Sequence, residues 1–231
     1  MSRPLLIQDL GRQPYSRVLE LQRRLARRRI EGYVTDDILL LVEHEPVVTL
    51  GRGARPQSLP LAPAELHRRG VEVYEVERGG DVTFHGPGQL VGYPILDLRE
   101  HRQDLHWYLR GLEAALIQGL DTLGLDGGRN PGLTGVWTRG RKIASIGVHV
   151  KQWVTYHGFA LNVNTDLSYF DLIVPCGIKD VTMTSVALEL GRTDAASIWA
   201  ETRDAIVDGM GAAFDLIPAP VAFGSPIGFS P

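Results

Sequence analysis

The chain of 231 residues contains a single cysteine, Cys176, and its chemistry is the first question that the sequence raises. A lone cysteine cannot form an internal disulfide, so it is a packed small residue, an inert thiol or a nucleophile. Only a few per cent of an ordinary thiol is ionised at neutral pH, and a neighbouring cation raises that fraction. A nucleophilic Cys176 therefore requires a positively charged neighbour.

Lys142 is the cation that the strand pattern singles out. Side chains alternate along a strand, which places Lys142 on one face with Ala144, Ile146 and Val148. The opposite face is more polar, so Lys142 is predicted to point inward. Two interpretations remain open: a lysine whose long stem reaches solvent from the start of the strand, or a buried lysine that raises the thiolate fraction of Cys176.

The segment 78–89 is rich in glycine and in hydrogen-bonding side chains, and it reads Arg78-Gly79-Gly80-Asp81-Val82-Thr83-Phe84-His85-Gly86-Pro87-Gly88-Gln89. Glycine lets a ligand or a second backbone approach the main chain closely, so the segment is either one wall of a slot or two tight turns around a short strand. It matches neither a phosphate-binding loop nor a dinucleotide fingerprint. Two other segments combine small and polar residues in a similar way, Ser145-Ile146-Gly147 and His157-Gly158-Phe159-Ala160.

The remaining polar residues are read more simply. His85 is interpreted as a general base or an orienting partner, and His157 as a structural histidine with its hydrogen bonds satisfied. No metal-ligand spacing is present, so we predict a site without metal or cofactor. The basic run 23–29 is either a solvated helix face or a docking surface for an acidic protein.

The elements that must position these residues follow from periodicity and capping signals. Helical spacing predicts helices over 14–32, from Asp104 to about residue 123, and from Asp194 to about residue 210. Alternation predicts strands over 38–42, 47–50, 71–76, 90–98 and 154–163, and a hairpin that joins 135–138 to 142–151 through Arg139-Gly140. Strands in runs favour an α+β fold with a mixed, largely antiparallel sheet flanked by helices.

Composition bounds the remaining possibilities. Hydrophobic residues make up 44% of the chain and the net charge is -3, so we predict one domain over residues 1–216 and no nucleic-acid or membrane partner. Residues 217–231 are rich in proline and glycine and are predicted to be an irregular tail. The N-terminus lacks the apolar stretch of a secretory signal, which predicts a cytoplasmic protein.

Taken together, the motifs resemble those of the lipoyl(octanoyl) transferases of bacterial lipoate synthesis. The residues that carry the resemblance are Arg78 to Gln89, Lys142-Ile143-Ala144-Ser145-Ile146-Gly147, His157-Gly158-Phe159-Ala160-Leu161-Asn162 and Pro175-Cys176-Gly177-Ile178. The resemblance extends over residues 5–215. The proline-rich loop 55–63 and the tail after residue 216 depart from it.

The resemblance implies the fold of the catalytic domain of biotin and lipoate protein ligases and a cysteine mechanism. Cys176 would accept octanoyl from octanoyl-acyl carrier protein, and Lys142 would be its catalytic partner. The acceptors would be lysines on lipoyl domains of 2-oxoacid dehydrogenases and on the glycine cleavage H protein. Substrate would bind residues 78–85, 145–147 and 158–160. The alternatives are an ATP-dependent lipoate ligase, an amidotransferase between lipoyl domains and a non-catalytic binding module for the carrier protein.

Overall fold

The computed structural model describes residues 3–174 and 181–221 as a mixed arrangement of strands and helices. The strands are β1 (Arg3–Gln13), β2 (Asp37–His44), β3 (Val47–Leu50), β4 (Glu72–Glu75), β5 (Val82–His85), β6 (Gln89–Ile95), β7 (Val136–Thr138), β8 (Arg141–Lys151), β9 (Val154–Asn162) and β10 (Leu216–Pro220). The helices are α1 (Tyr15–Ile30), α2 (Pro63–Arg68), α3 (Leu105–Thr122), α4 (Val186–Leu190) and α5 (Ala195–Phe214).

The strands form two sheets. The larger sheet has seven strands in the order β10-β1-β2-β6-β9-β8-β7, and only the β10–β1 and β1–β2 pairs are parallel. The smaller sheet has three strands in the order β4-β3-β5. This architecture confirms the prediction of an α+β fold with a mixed, largely antiparallel sheet flanked by helices.

The larger sheet is covered on both faces, as the sequence of β2 shows. Ile38 and Leu40 pack with α1 on one face, whereas Leu39 and Leu41 pack with α3 and α5 on the other. Because side chains alternate along a strand, a continuous apolar run is what a strand between two helical layers requires. The sheet is therefore the central layer, and its polar positions are exceptions that need a reason.

The helix predictions are confirmed in position. The carboxylate of Asp104 accepts hydrogen bonds from the backbone N–H groups of His106 and Trp107, as expected for an N-cap. Asp194 occupies the N-cap position of α5 without capping it through its side chain. The buried face of α5 includes residues at helical spacing, Ile198, Thr202, Ala205, Ile206, Gly209 and Met210.

The last strand extends into the segment that was predicted to be an irregular tail. Residues 217–220 were expected in an irregular tail, but they complete β10, which pairs in parallel with β1. Proline lacks an N–H group, and an edge strand tolerates it because one side of the strand has no partner. Pro218 and Pro220 therefore fit the edge position of β10. Residues 222–231 lie outside the described part, and the single-domain assignment stays a prediction.

Candidate functional site

A cavity of about 250 Å³ lies where β8 and β9 of the larger sheet meet β5 of the smaller one. Most of the predicted site residues line it: Arg78, Gly80, Asp81, Val82, Thr83, His85, Lys142, Ser145, Ile146, Gly147, Gly158, Phe159 and Ala160. The three sequence segments are thus brought together although up to 82 positions separate them in the chain. Two predicted residues, Gly79 and Phe84, do not line the cavity.

Phe84 and Gly79 lie behind the residues that line the cavity and support them. Phe84 is fully buried on the face of β5 opposite to Thr83 and His85, and its ring stacks on Tyr169 with centroids 4.6 Å apart. The alternation of a strand accounts for this placement. The N–H group of Gly79 donates to the carbonyl of Val148 at 2.8 Å, which attaches the glycine-rich segment to β8.

The two interpretations of the glycine-rich segment each hold for one part of it. A Cβ on Gly51 would lie 2.4 Å from the carbonyl oxygen of Gly80, so the backbones of 51–53 and 78–81 meet in van der Waals contact beside the cavity. Gly88 has a φ of +79°, and the N–H of Gln89 donates to the carbonyl of Gly86 at 3.2 Å. Pro87 followed by a positive-φ glycine is typical of a type II turn.

Lys142 is buried, with an exposed fraction of 1%, but the face predicted for it is wrong. In the pairing of β7 with β8, Val136 lies opposite Ala144 and Trp137 opposite Lys142, so Ile143 is an extra residue. Such a bulge interrupts the alternation of side chains. Ile143 and Ala144 both join the core under α3, whereas Lys142 lines the cavity together with Ser145 and Gly147.

The environment of Lys142 holds both its backbone and its ammonium group. Its N–H donates to the carbonyl of Thr182 at 2.8 Å, and its carbonyl accepts from the N–H of Thr184 at 2.9 Å. The ammonium lies 5.0 Å from the centroid of the Trp137 ring, within the range of a cation–π contact. A Cβ on Gly135 would lie 3.0 Å from Cε of Lys142, so a side chain at that position would displace the lysine.

The guanidinium of Arg78 is bound to β3 and to the glycine-rich segment. It donates to the carbonyl oxygen of Thr49 at 2.6 Å and to the Thr49 hydroxyl at 2.8 Å. A third bond reaches the carbonyl of Gly79 at 3.1 Å. These contacts indicate that Arg78 fixes the glycine-rich segment on β3.

His85 is oriented by a chain of buried amides. The amide nitrogen of Asn162 donates to the carbonyl of Thr184, and the amide nitrogen of Gln89 donates to the carbonyl of Phe84 and to Oδ1 of Asn162. The Gln89 amide oxygen therefore accepts from Nδ1 of His85, at 2.8 Å. Burial lowers the pKa of His85 to about 3, with His44 as a second cause. The ring is thus neutral, and its Nε2 carries a lone pair.

Tyr15, Tyr93 and His157 also line the cavity, and His44 contacts two of them. The ring of Tyr15 stacks on His85, with centroids 6.0 Å apart. Nε2 of His44 accepts from the Tyr93 hydroxyl at 2.8 Å, because its Nδ1 must donate to a carbonyl, that of Gln13. Burial lowers the pKa of His44 to about 4. Of these four residues, only His157 lies in one of the segments that stand out in the sequence.

His157 is not the satisfied structural histidine that the sequence predicted. Its φ is +57°, which is rare for a residue other than glycine, and its N–H donates to the amide oxygen of Gln22 at 2.9 Å. Its Nε2 is buried and has no hydrogen-bond partner among residues 3–174 and 181–221. The nearest carboxylate oxygen, that of Glu77, is 3.9 Å away, which is beyond hydrogen-bond range. Burial is the main cause that lowers the pKa of His157.

Cys176 lies outside the described residues, so its predicted place beside Lys142 stays a prediction. The chain is described up to Val174, whose N–H donates to the carbonyl of Ser58 at 2.9 Å. It is described again from Val181, and the next residue, Thr182, is bonded to the backbone of Lys142.

The basic run on α1 is neither a uniform solvated face nor a uniform docking surface. Arg23 forms a two-bond ion pair with Glu77, at 2.7 and 2.9 Å. Arg29 is buried and contacts Asp37 at 3.3 Å and Glu100 at 2.7 Å. Arg24 and Arg27 remain exposed.

Similarity to known proteins agrees with this geometry. Residues 14–209 match the family model of the lipoyl protein ligase A/B catalytic domain. The chain belongs to this family. Within it, a protein named octanoyltransferase from Chloroflexus aggregans is 50% identical over 219 residues, which is 94% of this chain and 97% of that protein.

Solved structures show the same fold at much lower identity. Lipoate-protein ligase A bound with ATP matches with a TM-score of 0.72 and 18% identity, over 96% of this chain and 90% of that one. Biotin protein ligase from Aquifex aeolicus in complex with biotin and ATP matches with a TM-score of 0.51 and 13% identity, over 91% and 72% of the two chains. The predicted likeness to the catalytic domain of these ligases is confirmed.

Two further expectations concern metals and membranes. Within the described ranges, no three His, Cys, Asp or Glu side chains are grouped so that they could hold a metal ion. The expectation of a metal-independent site stays a prediction. None of the helices in the same ranges combines the length and the apolar character that crossing a membrane demands.

Proposed function

We propose that this protein transfers octanoyl from octanoyl-acyl carrier protein to a lysine of lipoyl domains, the first step of protein lipoylation. The family and the name of the relative from Chloroflexus aggregans support octanoyl transfer. We propose lipoyl domains of 2-oxoacid dehydrogenases and the glycine cleavage H protein as acceptors. A cytoplasmic location would keep Cys176 reduced.

One observation carries the mechanism, namely the burial of Lys142 in the wall of the cavity. A buried lysine is costly, and this one has its backbone bonded to Thr182, six positions after Cys176 in the chain. An ammonium group near a thiol stabilises the thiolate. We infer that Lys142 and Cys176 act as a pair.

The first half-reaction would form an acyl-enzyme. The thiolate of Cys176 attacks the carbonyl carbon of the octanoyl thioester, and the carrier thiolate leaves when the tetrahedral intermediate collapses. One thioester replaces another, and the carrier thiolate takes up a proton from solvent. Lys142, which then no longer faces a thiolate, releases its proton to solvent and becomes neutral. The predicted site residues that line the cavity would hold the octanoyl chain, with Gly79 and Phe84 supporting the wall.

The second half-reaction would release the acyl group as an amide. The ε-amine of the acceptor lysine attacks the octanoyl carbonyl, and the thiolate of Cys176 leaves. The amine must lose a proton as the amide forms, and a neutral Lys142 could accept it. Because a thioester is less stable than an amide, this route needs no ATP.

The alternatives predict different requirements. An ATP-dependent lipoate ligase on the same fold would label a lipoyl domain without Cys176. An amidotransferase would take octanoyl from another lipoyl domain. A binding module would leave Cys176 without function. The ATP-bound structural relative shares 18% identity, which argues for the fold and not for the reaction.

The decisive experiment is a mass measurement on the intact protein. After incubation with octanoyl-acyl carrier protein, we expect one octanoyl adduct on the wild type, removed by hydroxylamine, and none on Cys176→Ser. Because Cys176 is the only thiol, the variant is a matched control. An unmodified wild type contradicts the acyl-enzyme. Labelling of a lipoyl domain by Cys176→Ser with octanoate and ATP would instead support the ligase.

A further inference from the structure

A second concave region lies beside the cavity, at the C-terminal ends of β3 and β4. It is an open groove of about 700 Å³ whose apolar surface comes mainly from the proline-rich loop: Pro56, Leu59, Pro60, Leu61 and Pro63, with Leu50 from β3. Its charged residues are Arg52, Arg55 and Glu75.

The groove and the cavity share a wall that is one pair of backbone segments thick. The N–H groups of Gly51, Arg52 and Gly53 donate to the carbonyls of Asp81, Arg78 and Gly80, at 3.1, 3.0 and 2.9 Å. Gly51 and Arg52 line the groove, whereas the three acceptors line the cavity. Paired backbones lie about 5 Å apart, so a flexible chain can extend from one region to the other.

The same loop reaches the chain that leads to Cys176. Ser58 donates its hydroxyl to a carboxylate oxygen of Asp81 at 2.8 Å, and its carbonyl accepts the N–H of Val174 at 2.9 Å. The groove therefore borders both the proposed acyl site and the segment just before the proposed nucleophile.

Arg52 and Arg55 of the groove differ from Arg78 of the shared wall in their hydrogen bonds. Arg78 has its donors on Thr49 and Gly79. The side chains of Arg52 and Arg55 are exposed and form no hydrogen bond or ion pair with any residue in the described part of the chain. Two guanidinium groups beside an apolar surface suit a ligand that joins an anionic oxygen cluster to an uncharged chain.

We propose that this groove binds the phosphopantetheine arm through which the acyl donor presents its thioester, with Arg52 and Arg55 contacting the phosphate. The inference rests on the proposed octanoyl transfer and adds a binding site to it. The uncharged pantetheine chain lies along the loop from Pro56 to Pro63, and its sulfur end reaches across the shared wall toward the cavity. Arginine can bind two phosphate oxygens through two parallel N–H donors, which suits Arg52 and Arg55 to this contact.

The test compares two small donors that differ by one phosphate, octanoyl-4′-phosphopantetheine and octanoyl-pantetheine. The second-order rate of adduct formation is measured by intact mass for the wild type and for Arg52→Gln/Arg55→Gln. We expect the wild type to prefer the phosphorylated donor by about tenfold, and the variant to lose this preference while keeping its rate with octanoyl-pantetheine. The control is Arg24→Gln/Arg27→Gln, two exposed arginines on α1, which should keep the preference.

Several results would overturn the inference. An equal loss of rate with both donors would mean that the arginines support the fold of the wall. An unchanged preference, or an effect seen only with the whole carrier protein, would mean that they contact no phosphate; the latter would indicate an acidic protein surface instead. A wild type that reacts with neither small donor nor octanoyl-acyl carrier protein would refute the proposed acyl transfer as well. A wild type that reacts equally with both small donors would refute only the groove.

Discussion

Lys142 and His157 line the same cavity from neighbouring strands, yet their surroundings differ. Val148, which pairs with His157, lies six positions after Lys142 on β8. Six positions along a strand span about 20 Å, so Lys142 and His157 lie at different ends of the cavity. Lys142 sits at a bulge, with its ammonium near the face of Trp137. His157 sits in a strained backbone conformation, and burial lowers its pKa.

The comparison extends to the neighbours of each residue. Around His157, burial also lowers the pKa values of His44 and His85, so this part of the cavity has neutral imidazoles that can accept hydrogen bonds. Around Lys142, the Trp137 ring lies near the amine, and hydrogen bonds to Thr182 and Thr184 hold the lysine backbone. The cavity therefore has an amine at one end and neutral imidazole acceptors at the other. Acyl transfer through a thiolate needs a cation only beside the sulfur.

The largest expected effect comes from removing the amine of Lys142. For Lys142→Met, we predict that kcat/KM for octanoyl transfer falls about a thousandfold, within the range attributed to acid–base catalysis. The fold should be retained, because methionine has a similar length and no charge to desolvate. The measurement is steady-state transfer to a lipoyl domain, combined with urea unfolding.

Two further variants sharpen this prediction. Lys151→Met makes the same chemical change at the exposed end of β8 and should transfer octanoyl at the wild-type rate. Lys142→Arg keeps a cation that cannot give up a proton at working pH, so it should still form the acyl-enzyme but not complete the transfer. Full turnover by Lys142→Arg would exclude the proton-accepting role, and full turnover by Lys142→Met would exclude the pair altogether.

The two buried histidines His44 and His85 should make the stability of the protein depend on pH. The pKa of His44 is lowered to about 4 and that of His85 to about 3, whereas an unfolded histidine titrates near 6.5. Between pH 6.5 and 4 the unfolded state therefore binds more protons than the folded state, and stability falls as the pH falls. Each histidine contributes about 1.4 kcal/mol per pH unit in this range, so these two together should lower the free energy of unfolding, measured in urea, by about 4 kcal/mol between pH 7 and pH 5.

Replacing one histidine isolates its share. In His44→Gln, the amide can still donate to the carbonyl of Gln13 and accept from Tyr93. The slope of the free energy of unfolding against pH gives the number of protons taken up on unfolding, and we expect this number to fall by about one between pH 5 and 6.5. His67→Gln, at an exposed position on α2, should leave the slope unchanged. If His44→Gln retains the wild-type slope, then His44 is not held neutral in the folded protein.

The sequence predicted the elements well because apolar periodicity reports burial directly. The hairpin shows this, since Arg139 and Gly140 both have positive φ and connect β7 to β8 as expected. Alternation failed at Lys142, because a bulge depends on pairing with another strand and leaves no mark in the strand itself. β10 was not predicted because its two prolines are typical of irregular chain. Only its pairing with β1, which is distant in the sequence, makes this segment a strand.

The candidate site was predictable where a segment carries its own unusual composition. The glycine-rich segment and the residues around Gly147 and Gly158 stand out in the sequence, and they do line the cavity. Tyr15 and Tyr93 have ordinary places in a helix and a strand, and only the packing of α1 on the sheet brings them to the site. The strain at His157 likewise follows from its tertiary contacts, such as the bond from its N–H to Gln22.

The smallest expected effect concerns the charges of α1 that lie outside the cavity. In the basic run Arg24 and Arg27 are exposed, whereas Arg23 is exposed but paired with Glu77 and Arg29 is buried. For Arg24→Glu/Arg27→Glu, we predict that acylation by the acidic carrier protein slows two- to threefold at low salt and less at high salt, because exposed charges act at long range and are screened. The rate with octanoyl-pantetheine should not change. Equal slowing at both salt concentrations would mean that charge is not the cause, and no slowing would mean that these arginines only solvate the helix. Either result would leave the buried amine and the groove arginines as the cations to which the reaction responds.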